Sequence, residues 1–286
     1  MQSLWMLVAS LLFALMGGLV KLAAAEYSAA EIVFFRGLFG IVSIGGFALA
    51  TGRRLATPIP RLHLARGLVG FGALLLWYQA IAALPLATAT TLNYTSPIFI
   101  AMFTLGVLRE RDDWRLGAAI LAGFAGVALV LRPTVAAQSL GEGLLGLASG
   151  ALAAAAYLQV RHLARLGEPE WRIVFYFSLT MSIATGLWML LAGAQPVTPR
   201  GTAILFGVGL FATLAQLALT RAYARGRTLA ASSLAYATVV FAALLGWLVW
   251  DETLGVVAWL GIALVVASGV TATLVAATPA KERPAE

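Results

Sequence analysis

The polar side chains that could handle a ligand fall into short stripes. Thr90, Asn93 and Pro97 recur at i, i+3 and i+7, which puts them on one face of a helix. Thr213, Gln216 and Thr220 share that spacing. Near these in type lie Trp77-Tyr78-Gln79, Tyr94 with Ser96, Tyr157 with Gln159, and Ser232-Ser233 with Tyr236. A serine or threonine in an apolar helix can bond its own i−4 carbonyl or hold helices together. An amide has four hydrogen-bonding sites to satisfy, so Asn93 and Gln216 are the strongest candidates to line a pathway. Aromatic faces can cover an apolar group and attract a cation. The expected substrate-binding set is Trp77, Tyr78, Asn93, Tyr94, Ser96, Tyr157, Gln216, Thr220, Ser233 and Tyr236, with Pro97 as a gating bend. This is recognition chemistry. Paired catalytic carboxylates, a Ser/His pair with an orienting acid and a phosphate-cradling loop with lysine are all missing from the sequence. There is no cysteine, and the two histidines, His63 and His162, are far apart, so neither a metal nor a cofactor is expected.

The elements that must carry these groups are membrane spans. Of 286 residues, 61% are apolar and 11% charged, and the mean hydropathy is +0.93. A soluble domain is far more polar, and this much apolar surface needs a bilayer around it. Ten spans are expected, at 3–22, 30–50, 64–84, 88–108, 114–132, 143–163, 173–193, 202–222, 229–250 and 255–276. The first is expected to be a retained helix rather than a signal peptide, and the polar tail 278–286 to be disordered. With the N-terminus inside, fifteen Lys/Arg residues fall on the inner side and three on the outer. That asymmetry predicts both termini in the cytoplasm. The net charge of +7 then reports insertion, and no nucleic-acid partner is needed.

The two halves echo each other. Thr90-Thr91-Leu92-Asn93-Tyr94 aligns with Ser232-Ser233-Leu234-Ala235-Tyr236 at an offset of 142, and Glu110 with Glu252 at the same offset. Ile32-Val33-Phe34-Phe35 matches Ile173-Val174-Phe175-Tyr176 at an offset of 141. Five spans per half, an odd number, make the second copy enter from the opposite side, an arrangement that recurs in secondary transporters. The predicted fold is an all-α integral membrane protein, two inverted five-helix repeats (1–132 and 143–277) around a central cavity. On these features, with Phe35-Arg36 in the second span, Leu86–Glu110 in the fourth and Leu229–Glu252 in the ninth, the chain resembles the drug/metabolite transporter superfamily, specifically its EamA-type exporters. Within that family it is most similar to bacterial amino-acid exporters, including the aromatic amino-acid group. The resemblance implies a basket-like bundle with a central substrate cavity.

All twelve acidic residues fall at span ends or in connections. Proton-coupled export of lipophilic cations needs a buried acid, so a nearly neutral cavity for a zwitterion or neutral metabolite is expected instead. Arg36 is expected to pair with Glu31 or Glu26, with snorkelling or meeting a carboxylate substrate as the alternatives, and Lys21 to snorkel to the outer surface. Gly146 and Gly150, spaced GxxxG, are expected to pack helices closely. The expected function is export of small amphipathic metabolites, amino acids first, by alternating access as a monomeric uniporter of the bacterial inner membrane. A drug exporter of the same fold and an intramembrane enzyme or lipid-handling protein are the alternatives.

Overall fold

The computed structural model describes residues 4–108, 118, 121–130, 139–225, 231 and 234–277, and among these there is no strand. The helices are α1 (Trp5–Ala23), α2 (Ala29–Ala50), α3 (Pro60–Ala83), α4 (Leu86–Asn93), α5 (Ser96–Leu108) and α6 (Leu121–Val130). They are followed by α7 (Leu140–Arg165), α8 (Glu170–Ala192), α9 (Pro199–Arg225), α10 (Ala237–Trp250) and α11 (Val256–Ala277). Six of them, α1, α2, α3, α7, α8 and α9, are long and apolar enough to cross a bilayer. Large apolar side chains cover the outside of the bundle: Leu49 is 77% exposed, Leu191 87% and Val256 75%. In water that surface would drive aggregation, whereas in hydrocarbon it is the solvent face.

The expected fourth span is two helices. Tyr94 N–H still reaches the Thr90 carbonyl at 2.9 Å, but Thr95 N–H reaches only Leu92, at 3.3 Å. The chain then restarts as α5 with Pro97 in its first turn, where a missing N–H costs nothing within the helix. The break therefore lies before the proline. A corresponding turn falls at Tyr236, where α10 begins, although Val239 stands where Pro97 does in the first half. The carbonyls at the break lie against Gly150 of α7: a Cβ there would stand 2.7 Å from the Leu92 oxygen, which accepts from Thr95 Oγ1, and 2.9 Å from that of Asn93. Gly146, one turn away, meets Leu92 and Ala80. The GxxxG pair is thus the seat of α4.

Three long contacts hold the bundle: α1 along α9, α3 along α7, and α2 along α8. α1 also packs on α10, and α7 on α4 and α5. Gly37 and Gly40 of α2 let Ser178 and Ser182 of α8 come close. One apolar core joins the long helices. The start of α2 is set by a capping box, in which Ser28 Oγ accepts from Glu31 N–H and the Glu31 carboxylate accepts from Ser28 N–H at 2.7 Å.

Candidate functional site: a central cavity with two buried guanidiniums

Seven segments converge on a cavity of about 50 Å3 at the centre of the bundle. α2 contributes Arg36, α3 contributes Arg66, Gly70 and Trp77, and the α4–α5 break contributes Asn93 and Tyr94. Tyr157 comes from α7, Phe177 from α8, Gln216 from α9 and Phe13 from α1. A volume of this size holds a few waters. It is smaller than a metabolite.

The charge in the cavity is positive. Arg36 and Arg66 are each 3% exposed, and a guanidinium stays protonated in proteins. Both pack on the same ring: the Arg66 Cζ stands 4.4 Å from the Phe177 centroid and the Arg36 Cζ 5.6 Å. Arg36 Nη2 donates to Gln216 Oε1 at a long 3.5 Å. Arg66 folds along its own helix over Gly70, where any Cβ would collide with its Nη1. The absent side chain at residue 70 is what lets Arg66 turn inward. No carboxylate lines the cavity among the described residues.

The neutral groups are held by their neighbours. Asn93 Nδ2 donates to Ser149 Oγ at 2.9 Å, and Ser149 Oγ donates to the Gly146 carbonyl at 2.6 Å. Tyr157 stacks on Tyr223 with 5.2 Å between centroids. Trp77 stands beside Tyr78, whose hydroxyl donates to Met16 Sδ at 3.3 Å.

Of the residues singled out in the sequence, Trp77, Asn93, Tyr94, Tyr157 and Gln216 meet at this cavity. Tyr78 is buried beside Trp77 outside the cavity lining, its hydroxyl against Met16 of α1 and the Arg36 guanidinium. Ser96 and Thr220 are buried outside the cavity lining, and the Tyr236 hydroxyl lies against Gly269 of α11. Ser233 and Glu110 lie outside the described residues. Arg36 does not pair with Glu31, because that carboxylate is taken by Ser28 and by the Gln195 N–H at 2.6 Å. Lys21 does not snorkel; it ion-pairs with Glu252. Arg66 and Phe177 were not among the expected site residues. Arg66 sits close to a basic connection and reads as part of it. The spacing of Arg66 and Gly70, a cation with a gap one turn later, is the one sequence signal that it turns inward.

Two polar clusters close the ends of the bundle. At one end the Glu252 carboxylate takes Lys21 Nζ and the Leu86 N–H (2.9 Å), while Lys21 also reaches the Leu84 carbonyl at 3.0 Å. Asp251, in the left-handed region at φ 50°, turns the chain so that Glu252 folds back on Gly246. At the other end, Glu168 accepts from Thr57 Oγ1 at 2.7 Å and Arg172 Nη1 at 3.1 Å, with His63 Nε2 3.3 Å away. Burial raises the Glu168 pKa. The Thr57 and Arg172 hydrogen bonds and the Arg172 and His63 charges outweigh it, leaving the carboxyl below its ordinary value.

The chain is an apolar helical bundle around a small cavity that carries two guanidiniums. The profile of the EamA-like transporter family matches residues 1–132 and again 141–274, and the chain belongs to that family. It is 32% identical over 245 residues to the pseudopaline exporter CntI of Pseudomonas aeruginosa, covering 86% of each chain. It is 30% identical over 273 residues to a riboflavin transporter of Rhizobium johnstonii, covering 93% of this chain and 88% of the relative. An S-adenosylmethionine uptake transporter of Rickettsia felis is 23% identical over 225 residues, 78% of this chain and 75% of the relative. A solved crystal structure has the same fold, with a TM-score of 0.69 at 22% identity over 96% of this chain and 97% of the other.

Proposed function

We propose that this protein exports small amphipathic metabolites, amino acids among them, across the bacterial inner membrane by alternating access. The observation that carries this is the central cavity, which draws Trp77, Asn93 and Tyr94 from one half of the chain and Tyr157 and Gln216 from the other. Such a site is open to one side or the other as the halves rock. Two inverted five-helix repeats with cytoplasmic termini are the architecture that reading needs. Helix pairing supports it: exchanging the halves turns the α1–α9 contact into α7–α3 and leaves α2–α8 unchanged. The matching turns at Tyr94 and Tyr236 support it too. The two family matches, one per half, start 140 and end 142 residues apart, close to the offset of the echo. Relatives named for pseudopaline, riboflavin and S-adenosylmethionine support a metabolite as cargo.

With no carboxylate among the described cavity residues, transport runs down the substrate's own gradient. The test is flux of a labelled amino-acid panel from proteoliposomes holding the purified chain. Efflux of at least one amino acid without an imposed proton or sodium gradient is expected. Strict dependence on either gradient would overturn the uniport reading.

A further inference from the structure

The cavity carries two cations and no anion among its described residues. Arg36 and Arg66 are almost fully buried, and their guanidinium carbons share the Phe177 ring, so the two charges cannot be farther apart than the sum of their distances to it. Like charges held this close in a low dielectric repel each other, and a buried charge without a partner is costly. Among the lining atoms fully closed to solvent, those without a hydrogen-bond partner are Arg36 Nη1, Arg66 Nε and Nη1, and Trp77 Nε1, all of them donors. Such spare donors suit a ligand rich in acceptor oxygens.

We propose that the cavity takes a substrate bearing two carboxylates, one against Arg66 and the other against Arg36, with its carbon chain along Phe177. This rests on the export reading above and narrows it to dicarboxylate metabolites, amino dicarboxylates included. One carboxylate neutralises one guanidinium and leaves the other buried and unpaired, whereas two neutralise both. Trp77 Nε1–H supplies a further donor for either group, and the Asn93 amide adds a polar contact for an α-amino or carboxylate end. The Phe177 ring, which carries both guanidiniums on its surface, favours two charges joined by a hydrocarbon spacer over two charges on one centre.

The test uses the full chain, in detergent for binding and in proteoliposomes for flux. The probes are 2-aminoadipate and glutarate, set against leucine, pentanoate and inorganic phosphate. The dicarboxylates are expected to bind at least about tenfold more tightly than the monocarboxylates. Arg66→Gln and Arg36→Gln should each weaken dicarboxylate binding at least about tenfold and erase that preference, and Arg66→Lys should keep most of it. Without ligand, Arg66→Gln should unfold at the wild-type temperature or above, because it removes an unpaired charge. A lower unfolding temperature for Arg66→Gln, with dicarboxylate preference intact, would make Arg66 a structural residue and overturn the proposal. Equal binding of leucine and 2-aminoadipate, or phosphate matching glutarate, would overturn it and leave metabolite export standing. Tight 2-aminoadipate binding with no flux of any amino acid would do the reverse: the two-carboxylate site would hold and the export reading would fail.

Discussion

Asn93 has two duties that mutation can separate. Its Nδ2 anchors Ser149, and the residue also borders the cavity. Asn93→Ala should therefore lower both flux and stability, the latter by about 1 kcal/mol for one lost buried hydrogen bond. Ser149→Ala removes the same bond from the other side, so it should match the stability loss in thermal unfolding while sparing most of the flux. Equal flux loss in the two variants would show that Asn93 acts only through packing. At this scale the sequence was partly legible. Asn93, Gln216 and Trp77 stood out because a polar group in an apolar run needs a reason to be there. Arg66 did not, because a cation near a basic connection is the commonest sight in a membrane protein. Tyr78, Thr220 and Tyr236 were expected at the cavity and lie outside its lining, since spans apolar on every side do not announce which face is inward.

At the scale of elements, small residues decide where helices meet. A Cβ at Gly150 would press on two backbone carbonyls and Thr95, whereas one at Gly146 would meet only side chains, at 3.1 Å or more. Backbone cannot step aside as a side chain can. Gly150→Ala should cost about 1–3 kcal/mol and Gly146→Ala less, read from unfolding of the detergent-solubilised chain. That GxxxG spacing was visible in the sequence, but its partner was not, because the division of the fourth span into α4 and α5 depends on α7 being there to receive the carbonyls at the break. The Glu168 cluster ties the α2–α3 connection to the start of α8, and its effect depends on pH. The folded pKa lies below the unfolded one, so the carboxylate stabilises the fold above the ordinary glutamate value, and that contribution is lost as pH falls through the folded pKa. Glu168→Gln should lower stability by about 1–3 kcal/mol at pH 7, and the gap from wild type should close in acid. A gap that stays constant down to low pH would remove the charge from this account.

For the whole molecule, Glu252 joins the end of α1, the α3–α4 connection and the α10–α11 connection in one knot. On the proposed alternating-access reading, with that end outward, this knot serves as the outer gate. The chain has no cysteine of its own, so Ala73→Cys places a single thiol on the cavity wall. An impermeant thiol reagent added to intact cells should modify it slowly, and several-fold faster when Glu252→Gln or Lys21→Ala is added. Unchanged labelling would mean that the knot is not the gate. An all-helical membrane bundle was readable from hydropathy. The knot was not, because its members lie 63 to 231 residues apart and nothing local links them. The two guanidiniums also give the protein an electrical character. An empty site that moves between the faces of the membrane takes two positive charges with it. A charge crossing the full field gains about 2.3 kcal/mol per 100 mV. On the proposed reading, an inside-negative voltage would draw the vacant site toward the cytoplasm to load and would leave a dianion-filled, neutral site free to go outward. Efflux from vesicles should quicken under an inside-negative potassium diffusion potential, and the battery of the cell would set the direction of export with no ion carried alongside.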